Sequence, residues 1–206
     1  MANSKDFGEL ADEQTIEKTK AALKANGLEA WVVNSGEEAK AKIMELLPPG
    51  AEVMSMTSMT LEALGIAKEI NTAGKYASVR SKLTSMSKDS QGSEMRKLGA
   101  APDWTVGSVH ALTEDGHAVI ASMTGSQLPA YAYGAGKVIW VVGAQKIVQD
   151  VAEGLQRIND YVFPLEDARA MKAYGVHSGV NKLLIVNKEV QPGRITVIIV
   201  KEKLGF

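Results

Sequence analysis

Three polar stretches of this 206-residue chain carry the residue types from which a site for a small anion is built. Ser55-Met56-Thr57-Ser58-Met59-Thr60 sets hydroxyls and free backbone N–H groups ahead of an expected helix, where the helix dipole and the unpaired donors favour negative charge. Thr57, Ser58 and Thr60 are its candidate donors, against the plainer reading of helix capping. Gly143-Ala144-Gln145-Lys146 follows the most apolar run of the chain and brings one cation to an expected helix opening. Lysine opposes the dipole there, so a local anion would compensate it; the alternative is a solvated surface lysine. Thr124-Gly125-Ser126-Gln127 is small and polar, so Thr124, Gly125 and Ser126 can bring backbone close to a ligand or merely cap the turn that follows. Arg169 adds a bidentate carboxylate contact if its helix reaches the same crevice.

Thr113-Glu114-Asp115-Gly116 places two carboxylates at a turn. Asp-Gly is explained by hairpin geometry alone, which leaves Glu114 as the candidate nucleophile or general base, against an ordinary exposed glutamate. His110, His117 and His177 have no metal-ligand partner at a recognisable spacing and read as structural or surface residues. Gly134-Ala135-Gly136 precedes a strand and lacks a third glycine, so it is no dinucleotide fingerprint, and neither a phosphate-cradling Walker loop nor a Gly-x-Ser-x-Gly elbow occurs. Met54, Met56 and Met59 read as adaptable core filler, and Trp31, Trp104 and Trp140 fall in expected strands and read as core.

The elements that must position these residues follow from periodicity. A helix is expected from Glu9 to Asn26, with Ile16, Thr19, Ala22 and Leu23 on one side and Gly27 as its stop. Leu28 to Val33 reads as a strand. Ser35-Gly36-Glu37-Glu38 is a capping box opening a helix with Ala39, Ile43, Leu46 and Leu47 inward, ended by Pro48-Pro49-Gly50. A strand from Glu52 to Met56 and a helix to Ile70 complete a β-α-β-α opening. Asn71 to Gly92 has no clear period and reads as a surface excursion or lid, followed by a short helix at Ser93 to Leu98. Trp104 to Val106 and Ala118 to Ala121 are short strands around the Asp115-Gly116 turn. Val138 to Val142 is continuously apolar, the mark of a strand covered on both faces and hence of the sheet's centre. Ile147, Val151, Leu155 and Ile158 repeat at helical spacing, Pro164 to Tyr174 is a further helix, and Leu183 to Val186 and Ile195 to Val200 are the last strands. The sum is a three-layer α/β/α sandwich on a mainly parallel sheet with some antiparallel pairing, in a single domain over residues 1–206.

Composition removes several classes of function. Twenty-three Lys and Arg against twenty-four Asp and Glu leave a net charge of −1, without the broad positive field that nucleic-acid binding relies on. The absence of cysteine excludes disulfides, thiolate zinc sites and iron–sulfur ligation by these residues. Met1 to Leu10 is polar, with Lys5, Asp6 and Glu9, and no apolar run approaches about eighteen residues. Neither secretion nor membrane spanning is expected, and the cytoplasm is the expected location.

The order of these segments resembles the lactate-utilisation (LUD) domain family, related to the LutC and YkgG proteins. The resemblance rests on Ala22-Leu23-Lys24-Ala25-Asn26-Gly27, Ser58-Met59-Thr60-Leu61-Glu62, Ala111-Leu112-Thr113-Glu114-Asp115-Gly116 and Thr124-Gly125-Ser126, and continues through Val141-Val142-Gly143-Ala144-Gln145-Lys146-Ile147-Val148, Arg157-Ile158, Ala168-Arg169 and Gly193-Arg194-Ile195-Thr196-Val197 to Leu204-Gly205. It implies the fold shared by ribose-5-phosphate isomerase, glucosamine-phosphate deaminase and CoA transferases. It further implies a part in oxidising lactate or a related hydroxy acid, beside iron–sulfur partner subunits, as a component that binds a small anionic metabolite or phosphate-bearing cofactor. Two segments depart from the family: Val176-His177-Ser178-Gly179-Val180-Asn181-Lys182 stands where many short members carry cysteines, and Ser122-Met123-Thr124-Gly125-Ser126-Gln127 stands where Asp-Gly-Thr-Gly-Asn-Arg is usual. Glu114 and Gly116 also match the glutamate motif of CoA transferases. A stand-alone CoA-transferase-like or sugar-phosphate-isomerase-like enzyme using Glu114 is therefore the rival reading, and an interaction subunit with a vestigial pocket is a third. The fold is compatible with a homo-oligomer paired through sheet edges or helices.

Overall fold

The structure is a computed structural model and describes residues 6–206. Of the polar N-terminal stretch, residues 1–5 lie outside the described residues. The first helix, α1 (Glu13–Ala25), starts where the Asp12 carboxylate accepts the Thr15 N–H at 2.7 Å, four residues later than the periodicity suggests. It buries Ile16, Thr19 and Leu23. Strand β1 (Glu29–Val33) leads to α2 (Gly36–Leu46), whose cap is the expected box: Ser35 Oγ accepts from Glu38 N, and the Glu38 carboxylate accepts from Asn34 N.

After β2 (Glu52–Ser55), the single expected helix is two short ones, α3 (Met59–Ala63) and α4 (Ile66–Thr72). Gly65 between them sits at φ 64°, the left-handed region, which turns the chain there. The aperiodic segment is folded: β3 (Ala77–Ser78), α5 (Val79–Ser85) and α6 (Lys88–Ala100). Helix α6 buries no residue, so no apolar stripe marked it in the sequence. Helix α5 buries Val79 and ties itself to the sheet through Arg80, whose Nε and Nη2 both donate to Ser55 O.

Strand β4 (Trp104–Gly107) is followed by β5 (Ala111–Thr113), β6 (Ala118–Ser122), a π-helical turn at Ala130–Gly134 and β7 (Lys137–Gly143). The Asp115-Gly116 hairpin joins β5 to β6; β4, taken from the sequence as its partner, belongs to another sheet. Ile147, expected in a helix, lies instead in β8 (Ile147–Val148), paired parallel with β5. Helix α7 (Val151–Arg157) runs through a π-helical segment, Ile158–Val162, into α8 (Phe163–Tyr174). The widened turn has a cause in Pro164, which has no N–H and crowds the carbonyl four residues before it in a regular helix. The chain closes with β9 (Lys182–Val186) and β10 (Ile195–Val200).

Six parallel strands in the order β1-β10-β7-β4-β2-β3 form the main sheet, with the apolar β7 inside it, and β8-β5-β6-β9 form a smaller mixed sheet. Alternation along β7 divides two cores. Ile139 and Val141 pack with Val53, Ile198, Ile43, Leu61 and Ile66 under α2, α3 and α4. Val138, Trp140 and Val142 pack with Leu23, Leu112 and Ile120 under α1 and the small sheet. The result is the three-layer α/β/α arrangement, with the small sheet adding the antiparallel pairs. Trp140 is core as expected, but Trp31 is 46% exposed on the edge strand β1, with Lys42 Nζ 4.2 Å above its ring. Among the described residues no helix is long and apolar enough to cross a membrane.

Gly107, the last residue of β4, allows one close approach: a Cβ there would meet the Tyr131 hydroxyl and stand 3.2 Å from Met56 Cβ. Gly107→Ala is expected to lower stability by about 1–3 kcal/mol. It should appear as a lower urea midpoint with an unchanged denaturant slope.

Candidate functional site

The strands β2, β4 and β7 end side by side, and the segments that leave their carboxyl ends meet the helical arm α7–α8 around a cavity of about 520 Å³. That lies in the range of small-molecule sites, roughly 300–1,000 Å³, and at the position where ligands of open α/β sheets bind. Thr57, Ser58 and Thr60 come from the segment after β2; Ser108, Val109 and His110 follow β4; Lys146 follows β7. Ile158, Val162, Phe163 and Ala170 of the helical arm form an apolar wall.

The chain after β7 makes one 3-10 turn, Ala144–Lys146, before β8, so Lys146 does not open a helix and the expected conflict with a dipole does not arise. A different feature isolates its charge. Lys146 is 2% exposed, and its Nζ reaches Thr60 Oγ1 at 3.0 Å, Ser108 Oγ at 3.2 Å and Val109 O at 3.3 Å, with no carboxylate in ion-pairing distance among the described residues. Burial, with a smaller contribution from Arg157, pushes its pKa down to about 7. Thr60 in turn donates to Leu204 O at 3.1 Å, and Gln145 holds the same C-terminal residue, donating to Leu204 O and accepting from Leu204 N.

Two more bases lie beside it. His110 is held down at about 3 by burial and by the Lys146 and Arg157 charges, so its ring is neutral. Its Nδ1 accepts from Ala121 N at 3.1 Å, which puts the ring proton on Nε2. Arg157 is wholly buried; Nη1 donates to His110 O, and the guanidinium carbon stands 5.2 Å from the Tyr161 ring centroid. Arg157 Nε and Nη2 have no partner among the described residues, and burial lowers this guanidinium to about 10. Burial raises the Tyr131 phenol, which therefore stays protonated.

The structure gathers Thr57, Ser58, Thr60, Thr124, Ser126, Lys146 and Arg169 around one cavity. Their states differ. Ser58 Oγ caps α3 through Leu61 N, and the Thr60 hydroxyl is spent on Leu204 O and Lys146. Thr124 and Ser126 bond to each other. Gly125 is not among the lining residues, and its N–H donates to Ser122 Oγ at 2.9 Å. Arg169 reaches the cavity, but its side-on fork is filled by Glu166 at 2.7 Å on both oxygens, an ion pair that keeps the guanidinium charged. Glu114 lies outside the cavity. The hairpin tip docks on α1, where Asn26 donates to the carbonyls of Asp115 and Gly116 and Lys18 pairs with the Glu114 carboxylate at 2.7 Å. Glu114 is thus paired with Lys18 and does not line this cavity.

Ser108, His110, Tyr131 and Arg157 belong to the site and were not marked as such by the sequence. Arg157 had one signal, a charge one residue ahead of the apolar stripe member Ile158. His110 and Ser108 had only their position just after an expected strand. Among the described residues no group of three or more His, Asp or Glu side chains is placed to hold a metal ion.

No curated protein sequence matches the chain. In overall shape it is similar to the crystal structure of a DUF162 family protein from Deinococcus radiodurans, with a TM-score of 0.54 and 15% sequence identity over 93% of this chain and 99% of that one. The model of the LUD domain matches residues 16–200, spanning both sheets and every lining segment from Thr57 to Val180. The chain belongs to the LUD domain family.

Proposed function

We propose that this LUD-domain chain binds a small anionic metabolite, or the phosphate of a cofactor, in the cavity at the carboxyl ends of β2, β4 and β7. In this reading it serves as the non-redox component of a lactate-type oxidation system beside iron–sulfur partner subunits. Membership of the LUD domain family associates the chain with lactate utilisation in the broad sense. The observation that carries the anion is Lys146, a cation enclosed with Arg157 nearby and, among the described residues, no carboxylate ion-paired with either. Of the other cavity charges, Arg169 is neutralised by Glu166, and Glu62 lines the cavity without an ion pair to Lys146 among the described residues. A single negative charge placed about 4 Å from the ammonium gains on the order of 4 kcal/mol at an effective dielectric of about 20. Thr57, whose hydroxyl is free among the described residues, supplies a donor at the same cavity, and Thr124 and Ser126, bonded to each other, can turn their hydroxyls to a ligand by exchanging that bond.

Lys146 must be protonated to hold an anion, and its pKa of about 7 gives the reading a pH signature. Beside Lys146, Arg157 stays charged, His110 stays neutral and Tyr131 stays protonated; Glu62, Glu166, Arg169 and His177 also line the cavity, so the Lys146 signature is the part of the pH profile that is lost in Lys146→Met. Calorimetric titration with lactate, pyruvate and inorganic phosphate is expected to show affinity falling as pH rises through about 7. Lys146→Met should weaken binding by about tenfold or more at pH 6. Unchanged affinity in that variant would overturn the anion site.

The same residue predicts a stability difference. With the folded pKa below the unfolded 10.5, the unfolded chain binds more protons between about 7 and 10.5, and stability from this group rises with pH across that window. Below about 7 the amine is charged in both states but buried only in the folded one, and folding carries the full penalty. Lys146→Met is therefore expected to raise the melting temperature relative to the parent more at pH 6 than at pH 10, as read by paired thermal melts.

A further inference from the structure

Lys146 has three neighbours, and they are not equivalent. Thr60 gives its own proton to Leu204 O at 3.1 Å, so toward Nζ it is an acceptor, and Val109 O is an acceptor by nature. Ser108 Oγ, 3.2 Å from Nζ, is the third neighbour: it accepts from the ammonium while its own proton goes to Val109 O at 3.3 Å, and once the amine is neutral that hydroxyl can rotate its proton toward Nζ. An unprotonated Lys146 therefore donates its two N–H groups to Thr60 Oγ1 and Val109 O and turns its lone pair toward the Ser108 hydroxyl. Ser108 is half-buried, lines the cavity and sits directly after β4, whereas Lys146 is enclosed behind it. That is the layering expected of a nucleophile facing substrate and a base facing the nucleophile.

We infer that Ser108 and Lys146 form a nucleophile–base pair for acyl transfer, with a carboxylic ester or thioester as the substrate class. Ser108 Oγ bonds to the acyl carbon while its proton passes to Lys146 Nζ. Collapse of the tetrahedral intermediate breaks the bond to the leaving oxygen or sulfur, which takes that proton from Nζ. Water then adds to the acyl-serine with the amine as base, and a carboxylic acid leaves as Ser108 recovers its proton. No metal or redox partner enters the balance.

Three surrounding features fit the chemistry. Burial lowers Lys146 to about 7, so the free amine is populated at neutral pH. Thr60 is a positioning residue that holds Nζ on Ser108 through a bond to the C-terminal segment. Beside Ser108 the cavity is lined by one neutral side-chain donor without a partner among the described residues, His110 Nε2–H, while the Tyr131 hydroxyl donates to Ser108 O at 3.5 Å. Such a free donor can meet negative charge developing on a carbonyl oxygen. This inference goes beyond the anion-binding reading and has the opposite pH slope, because acylation uses the amine that anion capture needs protonated.

The test is incubation of the full chain with a fluorophosphonate and, separately, with p-nitrophenyl acetate, read by intact mass and peptide mapping. A single adduct on Ser108 is expected, formed faster as pH rises through about 7, abolished in Ser108→Ala and slowed by at least about a hundredfold in Lys146→Met. Should Lys146→Met fail to fold by circular dichroism, the pH profile of the parent decides. No adduct, an adduct mapped to any other residue, or a rate flat across neutrality overturns the pair. Phosphate affinity measured on the same preparation separates the two readings. Affinity without acylation overturns the pair and leaves the anion site standing, and acylation at Ser108 without affinity supports the pair while the anion site fails.

Discussion

The structure around the cavity is organised by one constraint, an amine that is enclosed without a carboxylate partner among the described residues. Taking an ammonium out of water costs several kcal/mol even after relaxation, and a carboxylate partner is the usual remedy. Lys146 has instead three oxygen neighbours drawn from two other parts of the chain: Thr60 in α3, and Ser108 and Val109 after β4. Each must be within about 3 Å for the amine to be tolerated, so the ends of β2, β4 and β7 and the C-terminal segment are drawn to one point. Gln145, next in sequence, holds Leu204 with two hydrogen bonds, and Leu204 O accepts the Thr60 proton. The segment around Leu204, which follows β10, is thereby part of the site's scaffold.

Arg157 repeats the theme from the other side. It is wholly buried, spends Nη1 on the His110 carbonyl and leaves the two donors of its side-on edge without acceptors among the described residues. Elsewhere in the molecule the same edge is filled: Arg169 on Glu166, and Arg80 on Ser55 O. Arg194, also buried, shares its donors among Ala130, Tyr131, Ala135 and Glu189. Arg157 and Lys146 thus concentrate unmatched positive charge beside the cavity while the remaining buried arginine is fully engaged. Unmatched charge of this kind is retained at a cost in stability, a cost that large, continuous apolar cores on both faces of the main sheet can bear.

Much of the fold was legible because its signals are local. The capping box at Ser35, the Asp-Gly hairpin turn, the apolar run of β7 and the Pro-initiated helix near Pro164 are each set by neighbouring residues and appear where the sequence places them. The misreadings share a physical cause. Helix α6 buries nothing and so has no stripe; Gly65 breaks a helix that periodicity alone continues; Ile147 pairs with Leu112 across the small sheet although its spacing to Val151 is helical. Trp31 is apolar in type yet half exposed because β1 is a sheet edge, and edge status is a property of strand order.

The site divides in the same way. Sequence alone determined an α/β chain without thiol chemistry, with polar segments after its strands and Lys146 among the candidates, because composition, periodicity and capping are readable from residues close in the chain. Tertiary structure decided that Lys146 is an enclosed amine on Ser108 instead of a helix-opening surface charge, that Arg169 arrives already paired, and that Glu114 is docked on α1 away from the cavity. The reason is distance along the chain. Thr60, Ser108, Lys146 and Leu204 are brought together only by parallel strand order and by the path of the chain after β10, and burial, the quantity that changes the chemistry of an amine, exists only once they meet.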